Sequence, residues 1–270
     1  MPKFHKTFQA FAILTAVLAV YDLPNATADT AFLNDRFSGS SVNPDLWYIP
    51  TYTSSIDGTF VGRTQFRATQ DSSLPAVSDG NACIPVETYN PKGLSFYGTE
   101  IITKREFTPE TGLDVVVRAR MKTSNYHGIV GGIFLYSLRP GSVTLHDEID
   151  FELLTNVPDK VQTNLYAHEP LGTGHVELIP FRHGTVADWH DYEIKWTAKE
   201  VSWIVDDHLI RTTATNIPTN GMNFYANIWA PDPGWPQGFS ATIQPAAGKA
   251  QNETLNALCI DSIVIKPLAP

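Results

Sequence analysis

The chain has 270 residues, 43% of them hydrophobic and 11% aromatic, enough for a sizeable core. All-β folds of about 200–250 residues often form a single unit. A formal charge of −9, with no Lys/Arg cluster and no Gly-rich phosphate loop, excludes the basic surface that nucleic-acid binding needs.

From the N-terminus, Lys3 and Lys6 precede an apolar run over residues 8–20. That run is too short for a comfortable membrane span. Ala26-Thr27-Ala28 then supplies a small-x-small cleavage site. Residues 1–28 therefore read as a secretion signal, and residues 29–270 as one exported, extracellular domain that starts near Asp29. An uncleaved anchor is the alternative. No later segment is apolar enough to cross a bilayer, so no membrane association is expected after signal removal.

Helical periodicity is scarce beyond the signal. Short β-rich runs recur at 82–88, 98–105, 112–122, 131–138, 148–154, 160–168, 192–197, 200–206, 208–213, 222–229 and 257–266, separated by Gly, Pro, Asn and Asp. These eleven strands predict an all-β sandwich of antiparallel sheets. Asp206-Asp207 marks a tight turn in a hairpin, and residues 156–159 and 231–238 read as loops. The two cysteines are Cys83, in an early run, and Cys259, in the last. An even pair in an exported chain suggests a disulfide, with two buried free thiols as the other reading. Closing so long a loop would constrain the unfolded chain by roughly 3–5 kcal/mol.

The richest stretch is His146-Asp-Glu-Ile-Asp-Phe-Glu152. On a strand, His146, Glu148, Asp150 and Glu152 share one face, while Ile149, Phe151 and Leu153 share the other with Asp147 at its edge. Like charges so close destabilise a strand, which calls for a reason beyond folding. At about 3.3 Å per residue the Cα atoms of Glu148 and Glu152 lie about 13 Å apart, and their side chains can bring the carboxyls to about 5–6 Å. Retaining glycosidases use about 5–5.5 Å between nucleophile and acid/base, and inverting ones about 6.5–9.5 Å. Crowding should also raise at least one carboxyl pKa, which a proton donor near neutral pH needs. A solvated acidic strand or a calcium loop is the competing reading. Against the loop, Leu153 stands where the calcium motif has its glycine.

Glu148-Ile-Asp-Phe-Glu152 resembles the active-site strand of glycoside hydrolase family 16. Further resemblances follow in order: Tyr97-Gly-Thr-Glu100, Ala119-Arg-Met-Lys122, Gly128-Ile-Val-Gly-Gly-Ile-Phe134, Val161-Gln-Thr-Asn-Leu-Tyr166, Trp189-His-Asp-Tyr-Glu-Ile-Lys-Trp196, Ile204-Val-Asp-Asp-His-Leu-Ile-Arg211 and Asn227-Ile-Trp229. The resemblance spans about residues 32–266. It implies a β-jelly roll with a concave glycan-binding cleft, in which Glu148 is the nucleophile, Glu152 the general acid/base and Asp150 the auxiliary carboxylate. By similarity Glu100, Asn164, Tyr166, Asn227 and Trp229 line sugar subsites. His146 either contacts sugar or a carboxylate, or serves as a structural donor. Core filling for Trp229 and a strand-end hydrogen bond for Asn227 remain the bland alternatives.

The uninterrupted Glu-x-Asp-x-Glu spacing is shared with lichenase-like β-1,3-1,4-glucanases and xyloglucan-active transglycosylases. His146 stands where lichenases carry Trp, and Ile102 where they carry Arg, which leaves the exact glucan open. The resemblance implies a monomeric, secreted, retaining endo-β-glucanase acting on β-1,3-1,4 or related glucans. A cell-wall transglycosylase and a non-catalytic, lectin-like module are the alternatives. No cofactor is needed for catalysis. A structural calcium is implied at Asp261, against a buried Asp bonded to backbone donors. Asn252-Glu-Thr254 fits a glycosylation acceptor. The remaining histidines, His168, His175, His183 and His190 among them, form no metal-binding pattern, and His190 reads as structural.

Overall fold

A computed structural model describes residues 31–50, 60–67, 75–123, 127–138, 141–142, 144–170 and 172–268. The expected secretion signal lies outside them. In chain order the strands are β1 (Leu33–Asp35), β2 (Trp47–Tyr48), β3 (Phe60–Val61), β4 (Thr64–Phe66), β5 (Ala76–Ser78), β6 (Asn81–Glu87), β7 (Phe96–Gly98), β8 (Glu100–Phe107) and β9 (Leu113–Thr123). There follow β10 (Val130–Leu138), β11 (Leu145–Leu154), β12 (Lys160–Pro170), β13 (Glu177–Pro180), β14 (His190–Trp196), β15 (Val201–Val205), β16 (His208–Thr213), β17 (Met222–Trp229) and β18 (Thr254–Pro267). The expectation of eleven strands is too low: the described residues hold eighteen. All eleven expected strands are present with small shifts at their ends, and the additional ones run two to four residues.

The strands form two sheets. The front sheet runs β13-β12-β11-β10-β17-β8-β2. The back sheet runs β16-β15-β14-β9-β18-β6-β7-β4-β3, with β1 and β5 pairing β18 and β6. Pairing is antiparallel except between β4 and β7. This is the jelly-roll sandwich that the strand pattern and the resemblance predict. Among the described residues no helix is long and apolar enough to cross a membrane.

Period-2 alternation builds the core. In β11 the inward residues Ile149, Phe151 and Leu153 are fully buried, and Phe151 meets Tyr192 of the back sheet edge-on at 5.3 Å. Burying a side chain of that size stabilises by about 1.5–3 kcal/mol. Trp203 of β15 crosses the sandwich, donating its indole N–H to the carbonyl of Asp150 at 3.0 Å. Cys83 and Cys259 are bonded to each other, joining directly opposed positions on β6 and β18. The hairpin turn falls where expected, with Asp206 and Asp207 at φ of 49° and 62°. Short polar side chains tolerate that left-handed region, and two-residue hairpins require it.

Candidate active site

Strand alternation turns Glu148, Asp150 and Glu152 to the outer face of the front sheet, because their neighbours enter the core. Glu148 and Glu152 are half-buried and Asp150 is buried. Strand register then assembles three rows across that face. Glu152 lies between Gln162 and Gly132, and the row continues to Asn227 and Glu100. Asp150 lies between Asn164 and Phe134, followed by Tyr225 and Ile102. Glu148 lies between Tyr166 and Tyr136, followed by Asn223. Glu100, Asn164, Tyr166 and Asn227 therefore share a surface with the three acids. Trp229, two residues beyond Asn227 on β17, extends it and stacks on Trp235 at 5.5 Å.

His146 is buried, with Nε2 3.1 Å from Glu148 Oε2 and Nδ1 3.4 Å from the Thr144 carbonyl. Its ring packs 4.4 Å from Tyr166 and 5.6 Å from Tyr136. Burial works to lower its pKa, but contact with Glu148 outweighs that and the net shift is upward. Asp150 is pushed well above the usual carboxylate range, first by burial and then by Glu148 and Glu152, with Arg211 opposing weakly. Glu152 is raised to about 8 by burial and by Glu148, and the hydrogen bond from Gln162 pulls the other way. Near neutral pH Glu152 thus keeps its proton. Asp150 and His146 are both placed beside Glu148.

Five supporting residues were given no role in the site by the sequence. Gln162 donates its side-chain amide to Glu152 Oε2. Gly132 leaves space: a Cβ there would lie 2.7 Å from Asn227 Oδ1 and 3.2 Å from the Phe134 ring. Asp147 is fully buried, accepting from the His168 N–H and from Asn220 Nδ2, both at 2.6 Å. It thereby fixes the bulge where β11 and β12 change register and His168 takes φ of 61°. Arg211 stacks on Trp203 at 4.6 Å and reaches Thr163, His175 and Glu177. Trp235 is the fifth. The alternation of Gln162 with Asn164 and Tyr166 on β12 was the available signal for the first; the others depend on tertiary contacts. Buried polar atoms are normally hydrogen-bonded. Yet Gln162 Oε1 and Asn227 Oδ1, in the row of Glu152, are buried with no hydrogen-bond partner among the described residues.

The family model for glycosyl hydrolases family 16 matches residues 86–249, more than half of the chain. The chain belongs to that family. A beta-glucanase of Bacillus subtilis (strain 168) is 33% identical over 111 residues, covering 41% of this chain and 44% of that protein. A Crh-like protein of Arthroderma benhamiae is 27% identical over 244 residues, covering 86% of this chain and 54% of its own length. The chain thus spans about half the length of these curated relatives. A lichenase structure from a mouse hindgut metagenome superposes with a TM-score of 0.68 at 22% identity, over 87% of this chain and 99% of that one. That likeness speaks for the fold.

Asp261 sits away from the acids, as the extra residue where β18 shifts register against β9. On its other side β18 pairs with β6, Ile260 opposite Ala82, the residue after Asn81. Asn81 Oδ1 is buried with no hydrogen-bond partner among the described residues. A hard cation is held mainly by carboxylate and carbonyl oxygens. Among the described residues no group of three or more His, Cys, Asp or Glu gathers around a metal position. His190 is buried between Asp206, at 2.6 Å, and the Thr185 carbonyl, at 3.1 Å, a structural setting.

Proposed function

We propose that residues 29–270 form a secreted, retaining endo-β-glucanase that hydrolyses β-1,3-1,4 or related β-glucans. The observation that carries this reading is the division of labour within one row of acids. Glu148 is half-buried, with His146 Nε2 3.1 Å from its carboxyl, while Glu152 is raised to about 8. A carboxylate and a carboxylic acid on one strand face are the two partners that glycoside cleavage needs.

In this mechanism Glu148 attacks the anomeric carbon as Glu152 gives its proton to the departing oxygen. Asp150 and His146, packed beside Glu148, hold it in place. With the leaving sugar gone, Glu152 is a base, takes a proton from water, and the hydroxide releases the glycan from Glu148. Gln162 orients Glu152 through its amide. Its amide oxygen and that of Asn227 are buried acceptors suited to sugar hydroxyls. Asp261, with backbone carbonyl oxygens, would hold a calcium ion; its contribution would be to the back sheet, since cleavage by two carboxylates needs no metal.

The test is reducing-end release from lichenan, with the anomer of the first product followed by NMR. β-Anomer first, with activity lost in Glu148→Gln and in Glu152→Gln, supports the proposal. Near-normal turnover in both variants ends it. Labelled oligosaccharide acceptors separate hydrolysis from transfer: incorporation exceeding hydrolysis makes the chain a transglycosylase.

A further inference from the structure

The second row of the outer face does not stop at Ile102. Strand β2 closes the front sheet, and its Tyr48 pairs with Ile102, which pairs with Tyr225. Trp47, one residue earlier, is buried, donates its indole N–H to Asp35 Oδ2 at 2.7 Å, and meets the core ring of Phe224 at 6.1 Å. With Trp47 fixed inward, alternation turns Tyr48 to the face that carries the acids. Tyr48 is 51% exposed, rare for a large apolar side chain among the described residues. Four strand spacings separate it from β11, about 19 Å at the usual distance between strands. Between them lie the half-buried Ile102 and Tyr225, the latter stacked on Phe134 at 5.2 Å. The lane is apolar and aromatic throughout, unlike the amide-lined row of Glu152.

We propose that Tyr48 is a remote platform for the β-glucan chain, stacking under the C–H face of a sugar ring several residues from the bond that is cut. The polymer class rests on the function proposed above; the platform rests on the placement of Tyr48. A sugar ring has an apolar face and a hydroxylated rim, and an aromatic ring with one polar tip matches both. Trp47 anchors the backbone beneath it, so little freedom is lost when the chain docks. Binding energy gathered this far from the reacting atoms favours long chains over short ones.

The experiment measures binding and hydrolysis of short and long lichenan oligosaccharides by the full chain, by Tyr48→Ala and by Tyr48→Phe. In Tyr48→Ala the ratio of long-chain to short-chain affinity falls about fivefold to tenfold, the equivalent of one modest stacking contact. The same ratio of kcat/KM falls with it, while Tyr48→Phe keeps both ratios near wild type because the ring remains. Unchanged ratios in Tyr48→Ala, or no preference for long chains in the wild type, overturn the platform even if hydrolysis proceeds. Length-dependent binding that Tyr48→Ala abolishes, with no cleavage by the wild type, keeps the platform and removes the hydrolase.

Discussion

Two aspartates, Asp150 on the front sheet and Asp206 at a back-sheet turn, are driven in opposite directions. Asp150 is buried beside Glu148 and Glu152, and burial and both glutamates raise its pKa against a weak opposing pull from Arg211. Burial also works to raise Asp206, but His190, the Asp191 N–H and His183 outweigh it, and its pKa falls. The second arrangement is what folding selects, a charge met by donors and partial cations. The first places unlike needs together and leaves protons where chemistry can use them.

The largest effect that sharpens this contrast is loss of the acids themselves. Glu152→Gln lowers turnover on lichenan by about 10²–10⁴-fold, the usual worth of a general acid, with the melting temperature held or raised. A folded variant with ordinary turnover breaks the comparison at its front-sheet end. At the other end, His190→Ala strands the Asp206 carboxylate and the Thr185 carbonyl. It should cost about 2–4 kcal/mol in urea unfolding without moving the pH profile of kcat/KM. Unaltered stability would show that Asp206 needs no cation.

Smaller shifts come with pH. Glu152 acts as an acid only while protonated, so kcat/KM declines above about 8. Gln162 stabilises the carboxylate form, so Gln162→Leu moves that limb upward, by less than about one pH unit. A downward shift would contradict the assignment. For stability, the folded state keeps a proton on Glu152 that the unfolded chain releases, so its contribution declines as pH rises from 4.5 to about 8. Asp206 runs the other way: its contribution is full above 3.8 and is lost as pH falls through its depressed value. Unfolding titrations of Glu152→Gln and Asp206→Asn should therefore differ from wild type in opposite pH windows.

The long strands were legible because five or more residues display a period. Trp47–Tyr48 and Phe96–Gly98 are too short to show one; sheet pairing alone makes them strands. The acids of β11 were legible because they alternate with Ile149 and Phe151. Asp147 was only half legible: alternation placed it with the apolar face, but its tie to the His168 bulge requires β12 to be in place. Arg211 and Trp203 act from the back sheet, at distances in sequence that no local pattern spans. Gly132 reads as a weak point in a strand, and only its proximity to Asn227 shows that the missing carbon makes room.

The bond from Trp203 to the Asp150 carbonyl works like a keel bolt. It fixes the height of the acid-bearing strand against the opposite sheet, so Glu148 and Glu152 cannot drift apart without tearing a contact in the driest part of the molecule. Whatever flexes during turnover must then be the substrate or the surrounding loops, while the charged strand itself stays still.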